Sequence, residues 1–278
     1  MKKLIQVELY KIFKRKRSYI GFIAVIVIVL IAQAAMLWEG QAMHEFLTKN
    51  LSDAFFLEGN LVNGYLMTYL VLNFLWIHIP LLIVIVTGDL ISGEAHAGTF
   101  RLIISRPVSR TQLITVKFIA AIVYTLVLMT IFALTSLGLG LILFGKGDLM
   151  VIFNTINILP EHDILWRFLL AFIFGFIGMI AVASLSLLLS SLANNSLGPI
   201  LSTMAIIILF TMISTFDFSF FKALKPFLLT TYLDSWQLFF NFDVNLSLIY
   251  MDGFILIIHI IIFYLLTVIH FRRKDILT

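Results

Sequence analysis

Long apolar runs separated by short polar segments make up most of this chain. Six runs approach or exceed the roughly 20 apolar residues that a helix needs to cross a bilayer core. They are Tyr19–Leu37, Leu66–Thr87, Leu113–Phe144, Phe168–Leu189, Pro199–Phe216 and Phe254–Phe271. The third run is too long for one straight crossing, which predicts a tilted helix or one that projects beyond the bilayer. The pattern therefore predicts six transmembrane helices.

The composition agrees with this pattern. Hydrophobic residues make up 61% of the chain and charged residues 12%, about half the fraction that is usual in soluble proteins. The mean hydropathy is +1.08. Cysteine is absent, which excludes disulfides and thiolate sites. We expect an all-α integral membrane protein in which residues 1–278 form a single transmembrane domain.

The basic residues predict the orientation. Cytoplasmic segments of membrane proteins are enriched in lysine and arginine. Fourteen of the 19 basic residues lie in three segments that six spans would place on one side: Lys2, Lys3, Lys11, Lys14, Arg15, Lys16 and Arg17; Arg101, Arg106, Arg110 and Lys117; Arg272, Arg273 and Lys274. We expect both termini and the loop at 88–112 to face the cytoplasm of a bacterium, below its inner membrane. The segment at 217–252 is then external.

Residues 1–18 have two interpretations. The spacing of Leu4, Val7, Tyr10 and Phe13 is typical of an amphipathic helix that lies on a membrane surface. The alternative is a signal peptide, because small residues at Ala32–Ala34 resemble a cleavage site after an apolar stretch. Cleavage would leave five spans, so the surface helix is the preferred interpretation.

The loop at 88–112 predicts a short cytoplasmic helix. One face carries polar or small residues at helical spacing: Glu94, Gly98, Arg101 and Ser105. Pro107 should end this helix, because the residue before a proline avoids the α region. Ser109 and Gln112 then have the spacing of a capping box at the start of the third span. We interpret the loop as a rigid protrusion with Glu94, Gly98 and Arg101 turned toward a partner.

Two other interpretations of the loop are weaker. Gly93 and Gly98 have part of the spacing of a nucleotide-binding P-loop, but Thr99 and Phe100 stand where that motif needs Lys and Ser or Thr. We therefore expect no ATP site in this chain. A solvated connector whose arginines contact anionic lipid headgroups is the plainer alternative.

The sequence "SGEAHAGTFRLIISRPVSRTQLITVKF" resembles the cytoplasmic loop of ABC-2 type permeases, the membrane subunits of ATP-binding-cassette exporters. The matching positions are Gly93, Glu94, Gly98, Thr99, Pro107, Ser109 and Arg110, and the basic helix before the first span, the six spans and the length also match. The resemblance implies a dimer, either with a second copy or with a homologous permease. It also implies two separate ATPase subunits that bind ATP and Mg²⁺, and it makes the loop a coupling helix that includes Arg101.

Polar and aromatic residues in or near the spans give a possible substrate path. His78 lies next to Pro80 in the second span, and His259 lies in the sixth. An intramembrane histidine is a functional candidate, but a structural hydrogen bond explains it equally well. Ser184 lies in a fourth span whose small residues also fit close helix packing. Phe221 and Trp236 belong to the aromatic segment at 217–252, which we expect to form external re-entrant or interfacial helices.

Three functions compete. The first is a non-enzymatic permease subunit of an exporter, with no cofactor of its own, whose partners are ATPase subunits, a second permease and membrane lipids, and not nucleic acid. The second is an intramembrane hydrolase, which would need a Ser–His pair such as Ser184 with His78 or His259. The third is a membrane scaffold subunit that transports nothing. The run Glu161-His162-Asp163 is a poor metal site, because three successive residues do not converge on one ion.

Overall fold

Helices form almost all of the structure, which is a computed structural model that describes residues 1–39, 62–99, 108–152, 156–216 and 218–274. The elements before residue 145 are α1 (Lys2–Lys14), α2 (Lys16–Trp38), α3 (Gly64–Trp76), α4 (Ile79–Thr87), α5 (Asp89–His96), α6 (Arg110–Ala133), a π-helical turn (Leu134–Gly138) and α7 (Leu139–Phe144). Next come β1 (Leu149–Ile152), β2 (Ile156–Leu159), a 3₁₀ turn (Glu161–Asp163), α8 (Leu165–Leu192) and α9 (Leu197–Thr215). The last elements are α10 (Ser219–Lys222), a 3₁₀ turn (Lys225–Phe227), α11 (Leu229–Leu233), a 3₁₀ helix (Asp234–Phe240) and α12 (Leu246–Arg273).

Six helical segments in the described part of the chain are long and apolar enough to cross a membrane. They are Lys16–Trp38, Ile79–His96, Arg110–Phe144, Glu161–Leu192, Leu197–Thr215 and Leu246–Arg273. The prediction of an all-helical, multi-pass membrane protein is confirmed at this level.

The predicted second span, Leu66–Thr87, is not one continuous helix. It is divided into α3 and α4, which meet at Ile77 and His78. Pro80 in the first turn of α4 has no backbone N–H, so the carbonyl one turn earlier loses its usual helical partner. The chain then continues through Gly88 into α5, which makes Ile79–His96 one of the six apolar segments.

The long third span runs from α6 to α7 through the π-helical turn. Such a turn leaves a backbone carbonyl free for a side chain. The carbonyl of Ser136 accepts hydrogen bonds from Nε2 of Gln33 at 2.8 Å and Oγ1 of Thr68 at 3.1 Å. These buried polar contacts join α2, α3 and the turn, where the sequence predicted only an overlong helix.

A two-stranded antiparallel hairpin lies at the far end of α7, and the sequence analysis missed it. Leu149 pairs with Leu159 and Met150 with Ile158 across β1 and β2. The strands are rich in β-branched residues, but they lack the strict alternation that indicates a half-buried strand.

Short helices occupy the described part of the aromatic segment before the last span, and Asp217 lies outside the described residues. α12 begins at Leu246, so residues 246–252 belong to the last helix and not to the preceding segment. The 3₁₀ helix Asp234–Phe240 packs into the bundle, and Trp236 at its centre is fully buried.

The end of α1, the starts of α5 and α6 and the ends of α8 and α12 meet at one end of the bundle, which we call the basic end. Arg110 at the start of α6 donates to the backbone carbonyls of Phe271, Arg272 and Lys274 at the end of α12. Lys274 in turn donates to the carbonyls of Ser191 and Ala193 at the end of α8.

The topology leads to a labelling prediction. Gln6 at the basic end and Lys146 after α7 are both exposed, and α6 and α7 separate them. Because the chain has no native cysteine, Gln6→Cys and Lys146→Cys each provide one labelling position. In intact cells we expect an impermeant maleimide to label Lys146→Cys, and Gln6→Cys only after the membrane is opened. Labelling of Gln6→Cys in intact cells would overturn the predicted orientation.

Candidate functional site

Four charged side chains from three elements meet at the basic end, and we call them the ionic cluster. Nζ of Lys11 in α1 donates to Oε1 of Glu8 at 2.6 Å and to Oε1 of Glu94 in α5 at 2.9 Å. Nζ of Lys117 in α6 donates to Oε2 of Glu8 at 3.1 Å. Lys117 also forms an ion pair with Oε2 of Glu94 at 2.9 Å, without hydrogen-bond geometry. Two ammonium groups therefore balance two carboxylates.

Lys117 is the centre of the cluster. Its side chain is 1% exposed, and its ammonium group also donates to the carbonyl of Leu90 at 2.8 Å. Ser109 starts α6 by accepting a hydrogen bond from the N–H of Gln112, and the side chain of Gln112 accepts one from the N–H of Ser109. This capping box, predicted from the sequence, begins α6 so that Lys117 lies two turns further along it and faces the bundle.

The charges of the cluster stabilise one another despite burial. Burial raises the pKa of the Glu8 carboxyl, but Lys117 and Lys11 outweigh burial and hold that pKa below its ordinary value. Burial lowers the pKa of the Lys11 ammonium, but hydrogen bonds to Glu8 and Glu94 outweigh it and raise the pKa. Both groups are therefore charged at neutral pH.

A second set of ion pairs joins the start of α5 to Arg15, between α1 and α2, and to Arg17 in the first turn of α2. Oδ2 of Asp89 accepts a hydrogen bond from Nη1 of Arg15 at 2.7 Å, and Oδ1 lies 3.3 Å from Nη1 of Arg17. Asp89 is in the first turn of α5, where a negative charge interacts favourably with the helix dipole. A side chain at Gly93 would collide with the Asp89 carboxylate. Gly93 therefore contributes space for this ion pair.

Ser190 of α8 caps α5 from a different part of the chain. Its Oγ accepts hydrogen bonds from the backbone N–H groups of Ile91 at 3.2 Å and Ser92 at 2.9 Å, and donates to the carbonyl of Gly88 at 2.6 Å. A helix N-terminus leaves its first N–H groups unpaired, and here a buried hydroxyl satisfies two of them. The helix α5 is therefore attached to α1, α6 and α8.

The other end of α5, together with the two residues that follow it, is exposed, and we call residues 96–98 the tip of α5. The N–H of Gly98 bonds to the carbonyl of Ala95, and the N–H of Thr99 bonds to that of Glu94. Gly98 has a φ of +66°. This arrangement is a Schellman motif, which ends the helix at a glycine in the left-handed region. His96, Ala97 and Gly98 are exposed, so the tip is the part of α5 that a partner can reach.

The structure corrects the predicted contact face of α5. Glu94 does not point toward solvent: it is buried and paired with Lys11 and Lys117 within the chain. Gly98 is not on a helical face with Glu94, because the helix ends before it. His96, which was not among the residues predicted to form the contact face, is exposed. Arg101 and Pro107 lie outside the described residues. Ser109 caps the start of α6, and Arg110 joins that start to the end of α12.

Comparison with known proteins identifies a family. Residues 22–277 match the family described as "Protein of unknown function (DUF2705)". The chain belongs to this family. The match begins after α1, so it includes Glu94 and Lys117 of the ionic cluster but not Glu8 and Lys11.

A relative in Bacillus subtilis (strain 168), "Uncharacterized protein YhcI", is 26% identical over 203 residues. The aligned region covers 69% of this chain and 63% of the relative, which is less than two thirds of the relative's length.

The five residues predicted to line a substrate path have separate surroundings. His78 is exposed at the junction of α3 and α4, and its Nδ1 lies 3.0 Å from the carbonyl of Phe74. Ser184 is buried and donates to the carbonyl of Ala181. The two ring nitrogens of His259 lie near the carbonyls of Ile255 and Phe227. In the described part of the chain, the hydrogen bonds of Ser184 and of both histidines go to backbone carbonyls, and none joins Ser184 to His78 or His259.

The two aromatic residues of the set also lie apart. Trp236 packs against Tyr69 and Trp76, both in α3, and against Phe240. Its ring centroid lies 5.2 Å from that of Trp76. Phe221 lies in α10 and contacts Phe218 and Phe220. The structure therefore does not bring the five residues together into one site.

The sequence analysis missed the importance of Glu8 and Lys117. Lys117 was counted only for the charge asymmetry, although it stands between Val116 and Phe118 in an apolar run. A charged residue inside a span needs a partner, and Glu8 and Glu94 were among the acidic residues in segments expected on the same side. That signal was present in the sequence, but the pairing itself required the tertiary structure.

Proposed function

We propose that this chain is the membrane-embedded permease subunit of an ATP-driven exporter of the ABC-2 type. The proposal places the basic end in the cytoplasm of a bacterium and the membrane spans in its inner membrane. Two ATPase subunits, which bind ATP and Mg²⁺, act from below, and a second permease completes the transport path. The resemblance of the loop at 88–112 and the six apolar segments both support it.

The attachment of α5 is the observation on which the proposal depends. The helix has a buried ion pair to Lys117 of α6, a hydrogen-bonded cap from Ser190 of α8 and an ion pair to Lys11 of α1. Its tip is exposed beyond these attachments. A coupling helix needs one end that a partner protein can contact and another end that is joined to the membrane-spanning helices, and α5 has both.

The physical consequence is that α5 moves only together with the helices that hold it. Removing one partner of a buried ion pair costs about 3–5 kcal/mol, several times the thermal energy. A displacement of the tip by an ATPase would therefore move α6 and α8 and not break their contacts. In this mechanism the Glu94 carboxylate transmits movement inside the chain, while the tip makes the contact with the ATPase subunit.

Co-purification of the ATPase tests this proposal. Ala97 is exposed and has an ordinary φ of −78°, so Ala97→Trp adds bulk to the tip without backbone strain. We expect it to weaken ATPase binding by about thirtyfold or more, and so to reduce the amount that co-purifies, because disrupting the centre of an interface costs ~2 kcal/mol or more. Lys146→Trp, at the opposite end of the bundle, is the matched control and should retain the ATPase.

Four outcomes would contradict the proposal. If the chain is isolated from its own membranes in mild detergent without any ATPase bound, the exporter function is contradicted. ATP hydrolysis by the purified chain alone would contradict the proposal that separate subunits carry the ATPase activity. An ATPase that binds the chain but whose turnover drives no transport would favour the scaffold function. Full retention of the ATPase by Ala97→Trp would place the contact elsewhere.

A further inference from the structure

The outer face of α1 is an exposed stripe in which an aliphatic and an aromatic side chain lie between two lysines. Lys3, Val7, Tyr10 and Lys14 recur at intervals of four, three and four residues, which places them on one side of the helix. Tyr10 is 63% exposed and Val7 50%. The ammonium group of Lys14 lies 5.2 Å from the centroid of the Tyr10 ring. We call these four residues the outer stripe.

The other faces of α1 establish where the outer stripe points. Glu8 and Ile12, on the opposite side, are buried against the bundle. Phe13 stacks on Phe22 of the first span with ring centroids 6.4 Å apart, so that side of α1 packs against α2. The outer stripe therefore points away from the bundle.

The depth of α1 is also determined by its connection. Only Arg15 separates α1 from α2, which is apolar enough to span a membrane. Tyr19, Ile20 and Ile23 near the start of α2 are exposed on the bundle surface, as expected for side chains that meet lipid. With a connection of one residue, α1 has to lie at the level where headgroups meet acyl chains.

We propose that the outer stripe binds the headgroups of anionic phospholipids. An aromatic and an aliphatic side chain between two lysines fit this region of a bilayer, because the rings and methyl groups enter the acyl boundary while the lysines reach the phosphates. Lys16, exposed at the start of α2, adds a positive charge two residues beyond Lys14. This inference does not depend on the proposed exporter function.

The position of Lys11 gives the lipid contact a consequence inside the protein. It lies in the same helix as the outer stripe and is hydrogen bonded to Glu94 of α5 at 2.9 Å. A lipid that holds α1 against the membrane therefore also restrains α5. The lipid composition would act on the tip of α5 through the ion pair between Lys11 and Glu94.

A fluorescent probe in the full chain tests the proposal. Val7→Cys, in a chain without native cysteine, takes an environment-sensitive dye. The protein is placed in nanodiscs of phosphatidylcholine alone or with added phosphatidylglycerol. We expect blue-shifted emission and weaker quenching by neutral acrylamide in the anionic discs. High salt should reverse the effect, because it screens exposed charges.

Two lysine variants separate this lipid site from a general effect of charge. Lys3→Ser together with Lys14→Ser should remove the response to phosphatidylglycerol, since each lysine near an anionic surface contributes about fivefold to binding. The control pair Lys146→Ser and Lys222→Ser removes two exposed lysines from outside α1 and should keep the response. Unchanged thermal unfolding of both pairs checks that the fold is retained.

Two results would overturn the proposal. One is identical emission in the two kinds of disc, or a response that survives the loss of Lys3 and Lys14. The other is a probe at Val7 that remains accessible to acrylamide in anionic discs but is protected in native membranes. That second result would assign the outer stripe to a protein partner.

Discussion

Lys117→Met should lower the free energy of unfolding by about 3–5 kcal/mol, the usual cost of leaving a buried charge without its partner. Lys117 is almost fully buried and contacts both Glu8 and Glu94, so its loss leaves two carboxylates that share Lys11 alone. The apparent melting temperature of the detergent-solubilised chain measures this change. Lys11→Met is the matched comparison and should cost less, because the Lys11 side chain is one third exposed.

A double variant makes the Lys117 prediction more specific. Glu8→Gln combined with Lys117→Met leaves one carboxylate, Glu94, with one ammonium group, Lys11. The double variant should therefore melt at a higher temperature than Lys117→Met alone, which is the non-additivity expected of residues in contact. Strictly additive effects, or a Lys117→Met protein that melts like the wild type, would mean that the ionic cluster contributes little to stability.

The cluster also predicts how stability depends on pH. The pKa of Glu8 is lowered by folding, so its contribution is present above the ordinary value of about 4.3 and is lost as the pH falls through the folded pKa. The pKa of Lys11 is raised, so its contribution is present below about 10.4 and is lost as the pH rises through the folded pKa. Without Lys117 the pKa of Glu8 should rise, and unfolding by acid should begin at a higher pH.

Arg167→Lys should have the second large effect, by releasing the 3₁₀ helix Asp234–Phe240 from the bundle. Nη1 of Arg167 donates to the carbonyls of Phe239 at 2.8 Å and Asn241 at 2.6 Å. Its Nη2 pairs with Oδ2 of Asp163 at 2.6 Å. A lysine cannot reproduce this planar fork, and each hydrogen bond to a charged group that is not replaced costs about 1.5–3 kcal/mol.

The emission of Trp236 provides the measurement in a background in which Trp38, Trp76 and Trp166 are each replaced by Phe, because the Trp236 ring is fully buried in the 3₁₀ helix that Arg167 holds. We expect red-shifted tryptophan emission and stronger acrylamide quenching in Arg167→Lys. Lys146→Ala, an exposed change at the same end of the bundle, should leave both unchanged. Wild-type emission in Arg167→Lys would show that aromatic packing holds Trp236 without the arginine.

The sequence alone predicted the class and the main elements of the fold. Apolar runs of bilayer length indicate spanning helices because lipid leaves no other partner for backbone N–H and C=O groups. This reasoning places spans around Tyr19–Leu37 and Phe168–Leu189, close to the observed α2 and α8. The cap at Ser109 was equally predictable, because it depends on residues only three positions apart.

Only the tertiary structure decided which polar residues meet. Glu94 looked like part of an exposed face because helical spacing describes one helix and contains nothing about its neighbours. The neighbours are Lys117, 23 positions further along the chain, and Lys11, 83 positions earlier. Pairing two buried charges outweighs the preference of each for water when the geometry is close, and that geometry arises only when α1, α5 and α6 pack together. The same holds for Ser190, whose hydroxyl caps a helix nearly a hundred residues away.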